Sequence, residues 1–155
     1  MNNKYELLTD QTIKVFGHTL FRIKAKISFS DVKAGEFGGY IENEDNLETS
    51  GDAWVSGNAQ VYGNARVSGD ALVSGDAWVS GDAHYMTISP IGSRDDCITF
   101  MRTKTLEIYV SVGCFFGSIA EFRAKVQKTH GDNKHAKAYL LSADLAEIRI
   151  DLSKD

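Results

Sequence analysis

The 155-residue chain carries a formal net charge of −4, and 43% of its residues are hydrophobic. That length fits one domain or a small domain built on a repeat, and that apolar share excludes an intrinsically disordered chain. Charge is uneven, net −2 over 1–50, −3 over 51–86 and +1 over 87–155, so no basic footprint for generic DNA binding is present.

No run of ~18 apolar residues is long enough to span a bilayer. The opening "MNNKYELLTD" lacks the apolar core of a signal peptide. Both observations predict a cytoplasmic protein. Residues 1–36 are expected to form an N-terminal β-hairpin cap. "TIKVFGHTLFRI" places strands at 12–16 and 19–23 around Gly17-His18, with His18 a turn residue. "DVKAGEFGGY" is a glycine-rich connection, not a phosphate loop, because no Gly-Lys-Ser/Thr follows it.

Residues 37–86 are read as the repeat. From Gly51 to Tyr85 the chain repeats Gly-Asp/Asn-Ala-x-aliphatic-Ser/Tyr. Alanine stands at 53, 59, 65, 71, 77 and 83, and two residues on stand Val55, Val61, Val67, Val73, Val79 and Tyr85. On a strand such pairs point to one side and the residue between them to the other. Each hexad therefore predicts a short in-out-in strand followed by a glycine turn. A helix would need period 3.6, and hairpins do not recur every six residues, so the period points to a β-helix or solenoid. The register extends upstream with Ile41 and Leu47 on alanine positions and Asn43 and Thr49 on valine positions. The recurrent Asp/Asn row is expected at corners rather than as a calcium site.

Residues 87–155 are expected to form a small α+β unit. "HYMTIS", "CITFMR" and "LEIYVSV" read as strands. "SIAEFRAKVQKTHG" has Ile119, Phe122 and Val126 at helical spacing, Ser118 as N-cap and Gly131 as stop. Asn133 or Asp132 caps a second helix whose apolar side includes Ala136, Tyr139, Leu140 and Leu145. The loop "SPIGSRDD" offers Ser89, Gly92, Ser93 and Arg94 as a candidate phosphate or carboxylate site, against a plain turn in which Arg94 pairs with Asp95 or Asp96. Cys97 and Cys114 are expected as small buried thiols needing no disulfide. Zinc held by Cys97, Cys114, His130 and His135 is disfavoured, because such ligands come close in sequence. No metal or cofactor is expected. A Cys114–His130 dyad lacks an orienting group and an oxyanion site in the sequence, so no catalytic residue is assigned.

The hexads resemble the hexapeptide-repeat family. That resemblance implies a left-handed parallel β-helix with three hexads per coil. The expected fold is then mainly β: a short left-handed parallel β-helix with the hairpin cap and the C-terminal α+β unit. Three hexads per coil stack Trp54 on Leu72 and Gln60 on Trp78. Trp54, Tyr62, Leu72 and Trp78 become a candidate oligomer or partner face, unless the chain's own end segments cover them. The family's habit of association implies a homo-oligomer, with a trimer favoured. The family's acyltransferases carry a histidine loop leaving the coil, and no such loop interrupts this repeat.

The leader through Gly38-Gly39-Tyr40-Ile41-Glu42 and the tail "GCFFGSIAEFRAKVQKTHGDNKHAKAYL" look like those of small bacteriophage and prophage proteins with hexads. This implies a non-enzymatic accessory protein in the host bacterial cytoplasm. Counter-defence is the expected role, by inhibiting a host immune effector such as a CRISPR-type nuclease or by sequestering a nucleotide immune signal. The alternatives are a virion or assembly component and an acyltransferase-like trimeric enzyme.

Overall fold

The structure, a computed structural model, describes residues 2–153. The chain divides into two units, Met1–Asp82 and Ala83–Asp155.

In the first unit, β1 (Tyr5–Val15) and β2 (His18–Ala25) form an antiparallel hairpin. Its turn is Phe16-Gly17, where both residues have positive φ (48° and 84°). Two such residues match the right-handed twist of the strands they join. His18 is therefore the first residue of β2 rather than a turn residue. β2 pairs antiparallel with β3 (Phe37–Ile41), and from β3 onward pairing turns parallel, through β5 (Gln60–Val61) to β7 (Trp78–Val79). β4 (Trp54–Val55) and β6 (Leu72–Val73) form a separate parallel pair.

The expected left-handed parallel β-helix is not what forms. The first unit holds a mixed five-stranded sheet in the order β1-β2-β3-β5-β7 beside the two-stranded sheet β4-β6. The second holds an antiparallel sheet and two helices. The reason lies in the edges. The hairpin offers an open edge that β3 takes antiparallel, so the repeat's strands extend a hairpin sheet. The strands of the repeat are two residues long, and hexad 65–67 contributes only a single bridge, Leu47 to Val67.

The expected stacking pairs do meet, one in each of the first unit's two sheets. Trp54 lies beside Leu72 and Gln60 beside Trp78. The upstream register is different. Ile41 pairs with Val61 and Leu47 with Val67, so both stand on valine positions. Asn43 caps a short 3-10 turn, Glu44–Asn46, and Thr49 is exposed. The interior is built from Ala53, Ala59, Ala65, Ala71 and Ala77 with Val55, Val61, Val67, Val73 and Val79, all buried. Glycine is required at the corners. Gly51 has φ +72°, and a Cβ there would lie 2.8 Å from the Gly69 carbonyl oxygen.

Buried polar side chains finish the hydrogen bonding that short strands leave open. The Lys4 ammonium donates to the carbonyls of Glu48, Gly51 and Ala53, the last at 2.6 Å, and stands 4.6 Å from the Phe29 ring centre. Burial holds its pKa below the usual lysine value. Asn46, fully buried, donates its amide to the Gly63 and Ala65 carbonyls and accepts from the N–H groups of Glu42 and Asn43.

The second unit is an antiparallel meander in the order β11-β10-β9-β8. Its strands are β8 (Tyr85–Ile91), β9 (Asp96–Arg102), β10 (Ile108–Val112) and β11 (Phe115–Ser118). α1 (Ile119–His130) and α2 (Lys134–Arg149) follow. Ser118 caps α1 in a reciprocal box with Glu121, Gly131 ends it, and Asn133 caps α2. Ile98, Phe100, Val110, Phe122, Val126, Ala136, Tyr139 and Ala143 form the core. Leu145, expected on the buried side of the second helix, is 49% exposed.

Candidate functional site

The face expected from Trp54, Tyr62, Leu72 and Trp78 is largely covered by the first unit's own chain. Trp54 is buried between Tyr5 and Phe29, with ring centres at 6.5 and 5.3 Å. Trp78 is buried under Phe16, at 5.7 Å, and its indole N–H donates to the Tyr62 hydroxyl. Tyr62 in turn lies 4.8 Å from the His18 ring. Leu72 alone of the four is surface, at 36% exposure. The hairpin and the segment after it thus cover what period alone would turn outward.

His18 also binds this region together. Its Nδ1 is 2.8 Å from Glu42 Oε2, while Glu42 Oε1 accepts the Gly63 N–H. The His18 hydrogen bond, aided by Gly63 and opposed by partial burial, holds the Glu42 pKa below the usual carboxylate value.

A hollow of about 340 Å³ in the same unit is lined by Glu44, Asp45, Glu48, Thr49 and Arg66. Its three carboxylates make it a poor seat for an anion, and no group of three or more His, Cys, Asp or Glu among the described residues could hold a metal ion.

The stronger candidate is a cleft of about 230 Å³ within the second unit. The β8–β9 turn supplies Ser93 and Arg94 and the start of β9 Asp96, while the β10–β11 turn supplies Gly113 and Cys114 and the start of β11 Phe115. α1 supplies Phe122, Lys125, Thr129 and His130, and α2 supplies Tyr139. Its floor is a chain of rings. Phe115 is 5.9 Å from Phe122, Phe122 is 5.6 Å from Tyr139, and Tyr139 is 5.8 Å from His130. Burial, reinforced by the Asp96 carboxylate and opposed by Arg94, raises the Tyr139 pKa, so its phenol stays protonated.

Two cations stand at this floor. Arg94 and Lys125 are exposed and make no ion pair or side-chain hydrogen bond among the described residues. The turn is therefore not closed by an Arg94 pair with Asp95 or Asp96. It is closed by the backbone, with Asp95 N–H donating to the Gly92 carbonyl and Asp95 itself at φ 51°.

The four residues proposed from the sequence separate. Ser93 and Arg94 line the cleft. Gly92 does not line it but shapes it: φ is +80°, and a Cβ would meet the Tyr139 hydroxyl at 1.8 Å. Ser89 sits within β8, exposed, beside the register shift between Ile88 and Ile91. The loop is thus four residues long, 92–95, rather than the eight of "SPIGSRDD". Cys114 is exposed rather than buried, and Cys97 is half-buried; neither is in a disulfide among the described residues. Cys114 and His130 line the same cleft but share no hydrogen bond among the described residues. Lys125, Thr129 and Phe115 were missed by sequence reasoning. The one available signal was the helical face of Phe122, Lys125, Val126 and Thr129, which names neighbours on α1 but not the turns opposite them.

Two comparisons bear on the chain. The family model described as the YdcK beta solenoid repeat matches residues 59–75 and 65–81. The repeat is therefore similar to a β-solenoid repeat over that stretch, where parallel pairing is also seen. No curated protein matches the chain. No helix is long and apolar enough to cross a membrane among the described residues.

Proposed function

We propose that this chain is a non-enzymatic binding protein whose second unit captures a small phosphorylated ligand of the nucleotide class. The observation that carries this reading is a pair of cations, Arg94 and Lys125, that make no ion pair among the described residues and stand at the rim of an aromatic floor. A guanidinium fork and an ammonium suit phosphate oxygens, and the rings of Phe115, Phe122, Tyr139 and His130 suit a planar base. At about 230 Å³ the cleft is smaller than most ligand sites, which favours a mononucleotide-sized group held in part at the surface. Among the described residues no orienting carboxylate is bonded to Cys114 or His130, which supports binding rather than catalysis. The likeness of both chain ends to small phage and prophage proteins makes the biological role counter-defence, by removing a nucleotide immune signal in the host bacterial cytoplasm.

The test is calorimetric titration with inorganic phosphate, nucleoside monophosphates and cyclic dinucleotides. The parent protein is expected to bind a nucleotide more tightly than phosphate. Arg94→Ala removes one charge-assisted contact and is expected to weaken that binding by roughly 10- to 150-fold, with an unchanged melting temperature. A variant that loses stability but keeps its affinity, or a parent protein that binds none of these anions, overturns the reading.

A further inference from the structure

The cleft of the second unit holds two polar groups that the fold leaves unused. Tyr139 is only 8% exposed, yet its hydroxyl makes no hydrogen bond among the described residues. That hydroxyl reaches the β8–β9 turn, where glycine at position 92 leaves it room. Burial raises its pKa, so it keeps its proton and can donate. Asp96 is half-buried, and its carboxylate likewise makes no hydrogen bond or ion pair among the described residues. Its Oδ2 faces the β10–β11 turn, 3.6 Å from where a Cβ on Gly113 would stand. The carboxylate is near enough for its charge to act on the phenol, but the two do not bond to each other. A nearly buried hydroxyl without a partner costs stability unless a ligand completes it. A carboxylate repels phosphate, so beside Arg94 and Lys125 it suits a different part of the ligand.

We propose, resting on the nucleotide reading of this cleft, that Asp96 and Tyr139 select guanine as the base. The carboxylate offers two acceptors side by side, and the phenol O–H near it offers a donor. Guanine presents the complement along its base-pairing edge. Its N2 amino group and N1–H are adjacent donors, and O6 beside them is an acceptor. Adenine and cytosine offer an amino donor next to a ring-nitrogen lone pair, which the second carboxylate oxygen would repel. Uracil offers a single N–H between two carbonyls. Hypoxanthine keeps N1–H and O6 but lacks the amino group. Of these bases only guanine uses both carboxylate oxygens and the hydroxyl together, and it leaves Arg94 and Lys125 to the phosphate. A site built for such an edge rejects the analogue that lacks a donor, because its own polar groups are then left unpaired.

Calorimetric titration of the full chain with GMP, IMP and AMP tests this without relying on any variant. The parent is expected to bind GMP about 10-fold more tightly than IMP, which lacks one charge-assisted donor, and about 100-fold more tightly than AMP. Asp96→Asn turns one acceptor into a donor and is expected to weaken GMP binding about 10-fold or more, while AMP binding does not weaken. Tyr139→Phe keeps the ring and removes the hydroxyl. It is expected to weaken GMP binding about 5-fold, with a melting temperature no lower than the parent's, because the hydroxyl has no partner in the fold. Equal affinity for GMP, IMP and AMP overturns guanine selection and leaves the nucleotide reading standing, whereas a parent that binds none of the three overturns both. Unchanged GMP affinity in Asp96→Asn and Tyr139→Phe overturns the part given to these two side chains. A Tyr139→Phe variant that melts lower yet binds GMP as the parent does assigns the hydroxyl to the fold and removes it from the site.

Discussion

The two units solve the problem of backbone satisfaction in opposite ways. In the second unit, strands of four to seven residues close a continuous antiparallel ladder, and helices cover one core of large rings. In the first unit, the repeat's strands last two residues each, its interior is alanine and valine, and single polar side chains complete the ladder. Lys4 serves three carbonyls, and Asn46 serves two carbonyls and two N–H groups. The difference shows where function has room. The first unit commits its buried lysine and asparagine, and the His18–Glu42 pair, to holding the fold. The second holds its fold with apolar packing and leaves Arg94 and Lys125 at a cleft without an ion pair among the described residues.

This contrast is open to direct attack. The narrow interior of the first unit has no space for charge, so Val67→Asp should have the largest effect. Val67 is fully buried, and an unpaired carboxylate there is expected to cost about 4 kcal/mol. Thermal unfolding of that variant at the parent's melting temperature would show that the assigned interior is wrong. Asn46→Ala comes next. It strands the Asn43 N–H and two carbonyls and leaves the Glu42 N–H only its bond to the Val61 carbonyl, for a loss of about 2–3 kcal/mol in urea denaturation.

The matching change in the second unit sharpens the contrast. Ser118→Ala removes a surface helix cap, whose hydroxyl accepts the Glu121 N–H at 3.2 Å, and should cost only about 1 kcal/mol. Equal losses at Asn46 and Ser118 would mean that polar completion matters no more in the repeat than in the helical unit.

The smallest expected effect is on pH dependence. Glu42 has a folded-state pKa below its usual 4.5, chiefly through His18. A depressed carboxylate pKa contributes stability that is present above pH 4.5 and lost as pH falls through the folded value. Glu42→Gln should therefore flatten the acid limb of the stability curve, measured by urea denaturation at steps from about pH 6 to pH 3. An unchanged acid limb would remove the His18–Glu42 pair from the forces closing the hairpin over the repeat.

Much of the local structure was legible in the residues. Ser118, Gly131 and Asn133 end or begin helices because their side chains or φ freedom act within one turn. The alanine and valine rows lie inside because strand alternation is a two-residue rule. The upstream rows misled because residues 48–52 break the hexad phase, so Ile41 and Leu47 fall opposite valines. The candidate site was legible only as its β8–β9 turn. Arg94 in a glycine-serine turn was visible, while Lys125, Thr129 and Phe115 reach it from elements 21 to 35 residues further along the chain.

By itself, then, the sequence determined the in-out order of the hexads, the glycine corners and the helix caps, all of which depend on neighbours within a few residues. Tertiary structure decided what those pieces join. The hairpin's open edge captured β3 and turned an expected regular coil into a mixed sheet, since an unpaired strand edge takes whatever partner the chain brings to it. Phe16, Phe29 and Tyr5 then covered Trp54 and Trp78, which alternation alone would have left in water. The cleft arose the same way, from two turns and two helices whose meeting is a matter of core packing, and no local period records it.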